Sequence, residues 1–331
     1  MKLSLVTCTK RAVPHFEWSI ETLNNQTFKD FEYIVIDGLY NERKEETLNL
    51  FKAQAKFPFL YIPDKPSPWL DIGPALSNAR NTGFIFANGQ QVVFCDDDCK
   101  LNPDVLEKHN QWAERGYAVS GTFISHQNTN PDGTWNEGIY GLEHRAKQVT
   151  VPSDCPGSWL YGANFSVPID AATEVNGNDE LYCGEMGGED CDFGMRIQRI
   201  GCQTAFDPTC IVKFMASPGD ANSINKPELA SKDLEILLRH HPKERLLNNG
   251  QTHYSNEWLI QLLVQQPTRY WPLGNAFQLS DLRQQWQDYN AKGKSIDDFY
   301  KSLENWRWPY SYDWRDGELL TSMRDRLSKS E

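Results

Sequence analysis

Leu3-Ser4-Leu5-Val6-Thr7, followed by Phe16, Ile20 and Leu23 and then by Phe31-Glu32-Tyr33-Ile34-Val35-Ile36-Asp37-Gly38, decides the fold. The first segment is a short apolar strand. Phe16, Ile20 and Leu23 recur at the spacing of one helical face, and the run from Phe31 is a second strand that stops at an Asp-Gly pair. Strand, helix and strand make a βαβ unit, and right-handed crossovers make its strands parallel. Further along, Leu48, Phe51 and Ala55 mark another helical face and Phe59-Leu60-Tyr61-Ile62 a third strand. Leu76, Ala79 and Phe86 then mark a third helix, and Val92-Val93-Phe94 a fourth strand. The alternation predicts an α/β fold with a mostly parallel sheet flanked by helices.

The fourth strand delivers an acidic cluster, Phe94-Cys95-Asp96-Asp97-Asp98-Cys99. Carboxylates that emerge together at a strand end suit a divalent cation bridging them to phosphate oxygens. An EF-hand loop fits poorly, because Lys100 and Leu101 take the fifth and sixth places counted from Asp96 and a strand precedes. A solvated acidic turn is the other reading. In open parallel sheets ligands bind outside the carboxyl ends of strands. Thr7, Asp37 and Asp96 to Asp98 all fall at such ends, so three segments converge on one cleft, outside the core.

A second cluster, Gly187-Gly188-Glu189-Asp190-Cys191-Asp192, opens an amphipathic helix whose apolar face is Phe193, Ile197 and Ile200. Glu189 and Asp190 fall in or just before its first turn, where the helix dipole favours negative charge. They read either as a base or as ordinary acidic residues of a helix start, and the paired glycines would let backbone approach a bulky ligand. Trp159 and Tyr161 are candidates to stack on a sugar face, or core aromatics. Arg196 and Arg199 are expected on the solvated side of the helix.

These residues resemble the nucleotide-sugar glycosyltransferases of the GT-A fold, in particular the family 2 group, with a second half similar to the galactosyltransferase type. The resemblance spans most of residues 2 to 215. It rests on Leu3 to Thr9, on Gln26-Thr27-Phe28-Lys29-Asp30-Phe31-Glu32 leading into Ile34 to Asp37, and on Ala79-Arg80-Asn81-Thr82-Gly83. The three aspartates with Pro103 and Leu106 behind them, Tyr161-Gly162-Ala163-Asn164-Phe165-Ser166, and the second acidic cluster with Arg196 and Gly201 complete it.

The resemblance implies a Rossmann-like central sheet and a set of roles. Thr7 would lie in the nucleotide site, Asp37 would accept a hydrogen bond from the nucleoside base, and Arg80 would lie beside base or diphosphate. Asp96 or Asp97 would hold the ribose. Asp98, with Asp96 as a further candidate, would ligate Mn2+ or Mg2+. Asp190 would be the general base of an inverting transfer from a nucleotide-diphosphate sugar, UDP-sugar favoured, to a saccharide or glycoconjugate hydroxyl, with Glu189, Trp159 and Tyr161 toward the acceptor. Many such enzymes supply a metal-binding His on the strand after this helix. Here the strand from Phe206 to Phe214 offers Lys213, leaving His240, His241 or His253 as alternatives.

A chain of 331 residues, 39% hydrophobic, can bury one large core plus an appendage. A net charge of −12 argues against a nucleic-acid partner, since no basic stripe is available for phosphate backbones. Met1-Lys2-Leu3 leads straight into a strand without a long apolar run, which predicts no signal peptide or membrane anchor and a cytoplasmic protein. Eight cysteines without a CxxC pair read as reduced thiols, and a zinc site is disfavoured.

The chain changes character after about residue 216. Residues 1–216 read as the GT-A domain and 217–331 as a mostly helical extension containing Trp258, Trp271, Trp286, Trp306, Trp308 and Trp314. Such tryptophans suit packing on the main domain, contact with an acceptor or another subunit, or peripheral contact with a membrane. Near-balanced charge disfavours anionic lipid. Two competing functions are a nucleotide-sugar or saccharide-binding module without turnover, which Asp190 argues against, and a sugar-phosphate nucleotidyltransferase. The latter would show a glycine-rich, Arg-containing loop where this chain has Thr7-Cys8-Thr9-Lys10-Arg11.

Overall fold

The computed structural model describes residues 1–67, 75–126, 140–183, 188–214, 275 and 277–303. Strands β1 (Leu3–Thr9), β2 (Phe31–Asp37), β3 (Phe59–Ile62) and β4 (Gln91–Cys95) alternate with helices α1 (Phe16–Asn24), α2 (Tyr40–Gln54) and α3 (Leu76–Phe86). They pair in parallel in the order β3-β2-β1-β4. Their apolar runs are nearly continuous because both faces are covered. Val6, Ile34, Ile36 and Phe94 face one hydrophobic cluster, while Leu5, Tyr33, Val35 and Val93 face the other with Phe16, Ile20, Leu23 and Phe51.

Beyond β4 the sheet becomes mixed. The chain continues through β5 (Cys99–Leu101), α4 (Val105–Ala113), β6 (Ala118–His126), β7 (Tyr140–Leu142), α5 (His144–Gln148) and β8 (Ser153–Asp154), then β9 (Asn164–Pro168), α6 (Ile169–Glu174), α7 (Glu189–Arg199) and β10 (Thr204–Phe214). Strand β9 lies antiparallel between β4 and β6, and β10 runs parallel to β6, giving a ten-stranded sheet. Because β9 is reversed, its first residue, Asn164, lies opposite Cys95, the last of β4. The Tyr161-Gly162-Ala163 segment therefore reaches the edge where the parallel strands end. Asn164 holds this junction together, donating to the carbonyls of Cys210 (2.9 Å) and Thr122 (3.2 Å).

Helices α8 (Leu279–Ala291) and α9 (Ile296–Leu303) join the same core: Leu279, Leu282, Phe299, Tyr300 and Leu303 cluster with Phe84, Phe86 and Phe94. Trp286 packs on Phe86 at 4.7 Å and Phe299 at 5.6 Å. Arg283 donates to the carbonyls of Phe84 and Ala87, satisfying acceptors at the end of α3. Trp258, Trp271, Trp306, Trp308, Trp314, His240, His241 and His253 lie outside the described residues. No described helix is long and apolar enough to cross a membrane, and the eight cysteines are free thiols.

Two outcomes are expected from this packing. Phe299 is fully buried between Phe86 and Trp286, so Phe299→Ala should lower stability by about 3–5 kcal/mol in urea denaturation. A cost under about 1 kcal/mol would mean that α9 is not part of the core. The second concerns His109, which is buried with its ring nitrogens 2.9 Å from Ser166 Oγ and from Asn164 Oδ1. Burial pushes its pKa down to about 4, from an ordinary 6.5. The unfolded chain takes up this proton first, so the contribution is present above the unfolded pKa and is lost as pH falls toward the folded one, up to roughly 3 kcal/mol. The stability gap between the wild type and His109→Gln should narrow from about pH 7 to about pH 4.5. A gap that stays constant would show that His109 is not held neutral.

Candidate active site

The parallel register brings β1, β2 and β4 to a common edge, with Thr9 opposite Asp37. Strand β1 ends at Thr9, two residues beyond the expected end at Thr7. Thr7 is buried, and its hydroxyl donates to the Cys95 carbonyl (2.9 Å), tying β1 to β4. Thr9 reaches the acidic cluster instead, donating to Asp97 Oδ2 at 2.6 Å.

Asp96, Asp97 and Asp98 form the turn from β4 into β5. The expectation of carboxylates outside the core needs correction, because Asp97 and Asp98 are 5% and 2% exposed. The short β5 pairs with β10 and folds the cluster back against the sheet. Arg11 covers it, with Nη2 2.8 Å from Asp98 Oδ2 and Nε 3.3 Å from both Asp97 oxygens. Burial pushes Asp98 up to about 8, with Asp96 and Asp97 adding to the effect and Arg11 opposing it. Burial also pushes Asp96 up to about 6, opposed by Arg80 and reinforced by Asp97, Glu189 and Asp190.

Arg80, carried on α3, reaches the second acidic cluster. It is buried, and its Nη1 pairs with Glu189 Oε1 at 2.8 Å. Burial works against its charge, and Glu189, Asp190 and Asp96 outweigh it, holding its pKa above the ordinary value. Glu189 is itself raised by burial and by Asp190, with Arg80 opposing. Asp190 Oδ2 accepts from the Gly162 N–H at 2.9 Å, and Oδ1 accepts from the Cys191 N–H at 2.7 Å. Gly188, just before α7, has φ 85°, a left-handed conformation that favours glycine. The two acidic clusters thus meet around one buried guanidinium, with Asp96 and Asp190 both in its field.

Asp37 differs from the open carboxylate expected for a base edge. It is fully buried, and Arg43 donates to both of its oxygens at 2.7 Å, Leu39 N–H to Oδ1 at 2.8 Å and the Tyr61 hydroxyl to Oδ2 at 2.6 Å. Those donors fill its acceptor positions. Trp159 stands edge-on to Phe206 (5.6 Å) in a small core cluster with Ala146 and Cys155. Tyr161 lies 4.0 Å from the guanidinium of Arg145, whose side chain is buried on Glu143 and also donates to the Trp159 carbonyl. Arg196 is not on a solvated face. It is buried, paired with Asp192 at 2.8 Å and donating to the Val175 and Gly177 carbonyls, whereas Arg199 is exposed. Ile200 leaves the apolar face and is 38% exposed at the helix end. Lys213 pairs in register with Lys100, two residues after Asp98.

Arg11, Arg43, Tyr61, Arg145 and Thr9 are additions that the sequence reading did not single out for the site. Only Arg43 had a local signal, six residues after Asp37 at a helix start. Among the described residues no three His, Cys, Asp or Glu side chains form a metal cage. The site nevertheless fits a hard cation that completes its shell with phosphate and water, since Asp98 Oδ1 is buried with no partner and such ions use one or two carboxylates.

Gly162 is where the clusters touch. A Cβ there would run into Arg80 Nη2 and come 3.7 Å from Asp190 Oδ2. Gly162→Ala should therefore destabilise the wild type by about 1–3 kcal/mol and cost much less in an Arg80→Ala background. Additive costs in that double-mutant cycle would place Arg80 elsewhere.

Residues 4–165 match the family model for glycosyl transferase family 2. A GalNAc(5)-diNAcBac-PP-undecaprenol beta-1,3-glucosyltransferase of Campylobacter jejuni is 31% identical over 118 residues, 35% of this chain and 36% of that protein. An uncharacterized glycosyltransferase of Nostoc is 25% identical over 108 residues, 33% of this chain and 31% of that one. The chain thus spans about a third of the length of these curated relatives. Among solved structures, S. aureus TarS 1–349 in complex with UDP-GlcNAc superposes with a TM-score of 0.55 at 13% identity, covering 80% of this chain and 72% of that one. GalNAc-T7 with UDP, GalNAc and Mn2+ gives a TM-score of 0.50 at 18% identity, covering 72% and 48%. The strand order and these superpositions agree on a fold of the GT-A type, and residues 4–165 of it match glycosyl transferase family 2.

Proposed function

We propose that this chain transfers a sugar from a nucleotide-diphosphate sugar, UDP-sugar first, to a hydroxyl of a saccharide or glycoconjugate acceptor, with inversion at the anomeric carbon. The observation that carries this reading is the placement of Asp190 and Asp96 in the field of one buried guanidinium, Arg80. The strand-end cluster serves the donor diphosphate and ribose, and the helix-start carboxylate serves the acceptor. Support comes from the family match and from the fold neighbours, TarS bound to UDP-GlcNAc and GalNAc-T7 bound to UDP, GalNAc and Mn2+.

In this reading Asp98 holds a divalent cation, Mn2+ or Mg2+, which when bound neutralises the leaving diphosphate. Asp96 or Asp97 takes the ribose. Asp37 acts by fixing Arg43 and Tyr61 at the edge of the nucleotide cleft, since its own acceptor positions are filled. Asp190 takes the acceptor hydroxyl proton while that oxygen attacks the anomeric carbon from the face opposite the nucleotide. Gly162 and Cys191 N–H groups keep its carboxylate oriented. Glu189 holds Arg80 in place, and Tyr161, braced by Arg145 and next to the Gly162 whose N–H holds Asp190, serves the acceptor side.

The test separates donor binding from chemistry. Asp190→Asn should keep near-normal nucleotide affinity by calorimetry and lose at least about a hundredfold in transfer rate, the scale of a general base. Proton NMR of the first product should show the anomeric configuration opposite to the donor's. Retained configuration, or near wild-type turnover by Asp190→Asn, would overturn the mechanism. A thermal-shift panel of nucleoside diphosphates with and without manganese that moves with none of them would overturn the donor class.

A further inference from the structure

The strand-end carboxylates already carry a cation of their own. Arg11 Nη2 lies 2.8 Å from Asp98 Oδ2 and its Nε 3.3 Å from Asp97 Oδ2. The side chains of Asp97 and Asp98 are 7% and 3% exposed and that of Arg11 is 27% exposed, so the guanidinium lies on the solvent side of the carboxylates it covers. Its backbone is fixed as well. The Arg11 N–H donates to Thr9 Oγ1 (3.2 Å), and its carbonyl accepts from Arg43 Nη1 (2.7 Å). Arg43 in turn grips Asp37 with two hydrogen bonds. A chain of contacts from β2 therefore aims Arg11 at the acidic turn.

A divalent cation on Asp98 meets this guanidinium on the same carboxylate, and two positive centres at contact distance repel. Asp98 Oδ1 is meanwhile buried without a partner, an acceptor that Arg11 leaves unsatisfied. We propose that Arg11 is a built-in counter-ion for the Asp97–Asp98 pair, a positioning residue that competes with the divalent cation and gives way when cation and donor diphosphate arrive together. This inference rests on the cation-assisted donor binding proposed above. It makes binding of the cation alone weak and binding in the presence of a nucleoside diphosphate much tighter, because the displaced guanidinium then has phosphate oxygens to pair with. By linkage, the cation raises nucleotide affinity by the same factor.

Titration of Mn2+ into the full chain, followed by loss of the free-ion electron paramagnetic resonance signal with and without UDP, tests this without relying on turnover. Arg11→Gln should bind Mn2+ at least about tenfold more tightly than the wild type in the absence of UDP, the scale set by removing one charge-assisted contact. The enhancement that UDP gives should shrink in this variant, and Arg11→Lys should fall between the two. Asp98→Asn should weaken Mn2+ binding in every background, identifying the ion being counted. Equal or weaker Mn2+ binding by Arg11→Gln, with the wild type binding Mn2+ in the presence of UDP, overturns the counter-ion role and leaves the proposed function standing. No Mn2+ binding by any variant, with or without UDP, overturns both. If Arg11→Gln melts early, Arg11→Lys decides the matter: affinity for Mn2+ no tighter than wild type counts against the proposal.

Discussion

The ion pair between Arg80 and Glu189 joins the middle of α3 to the first turn of α7, beside the packing of Phe84 on Phe193 that links the same two helices. Both partners are buried, and each offsets the cost of burying the other; removing one from such a pair typically costs about 3–5 kcal/mol. The arrangement fixes the distance between the strand-end aspartates and the helix-start carboxylates. Glycine at 162 and the left-handed Gly188 follow from it, since the first leaves room for the guanidinium and the second turns the chain into α7.

Buried charge recurs around the cleft. Lys65 pairs with Glu180 at 2.8 Å, bonds Asn78 and lies over the Phe277 ring at 4.1 Å; Arg43 grips Asp37, and Arg145 grips Glu143. Burying ions costs several kcal/mol each, and replacement by apolar residues is often neutral or stabilising, so such pairs are a poor way to stabilise a core. They are a good way to hold polar groups in fixed directions without water, which is what stabilising developing charge requires. The structure keeps its stability elsewhere, in the two hydrophobic layers on either side of the sheet.

The C-terminal helices contribute to both. Phe299 and Leu282 extend the core cluster, and Arg283 caps carbonyls at the end of α3. That helix carries Asn78, Arg80 and Asn81. Asn176, in the left-handed region at φ 60°, binds the segment leading into α8: its Oδ1 accepts from Leu279 N–H and its Nδ2 donates to the Phe277 carbonyl. The later elements therefore brace the helix that presents Arg80.

What the sequence alone determined has a local period. Strands β1 to β4, the buried face of α1, the presence of α3 and the positions of both acidic clusters were legible because alternation, helical spacing and turn residues are properties of short segments. The convergence of strand ends on one edge followed from the handedness of crossovers. Tertiary structure decided which charges meet. Arg11 and Asp97 are 86 residues apart and Arg80 and Glu189 are 109 apart, separations at which no spacing rule operates. Asp37, expected to meet the nucleoside base, is filled by Arg43 and Tyr61, and Arg196, expected in solvent, is buried where it donates to the Val175 and Gly177 carbonyls, although its partner Asp192 lies only one helical turn away. A side chain's residue type fixes which bonds it can make, but its partner depends on which distant backbone the sheet order places beside it.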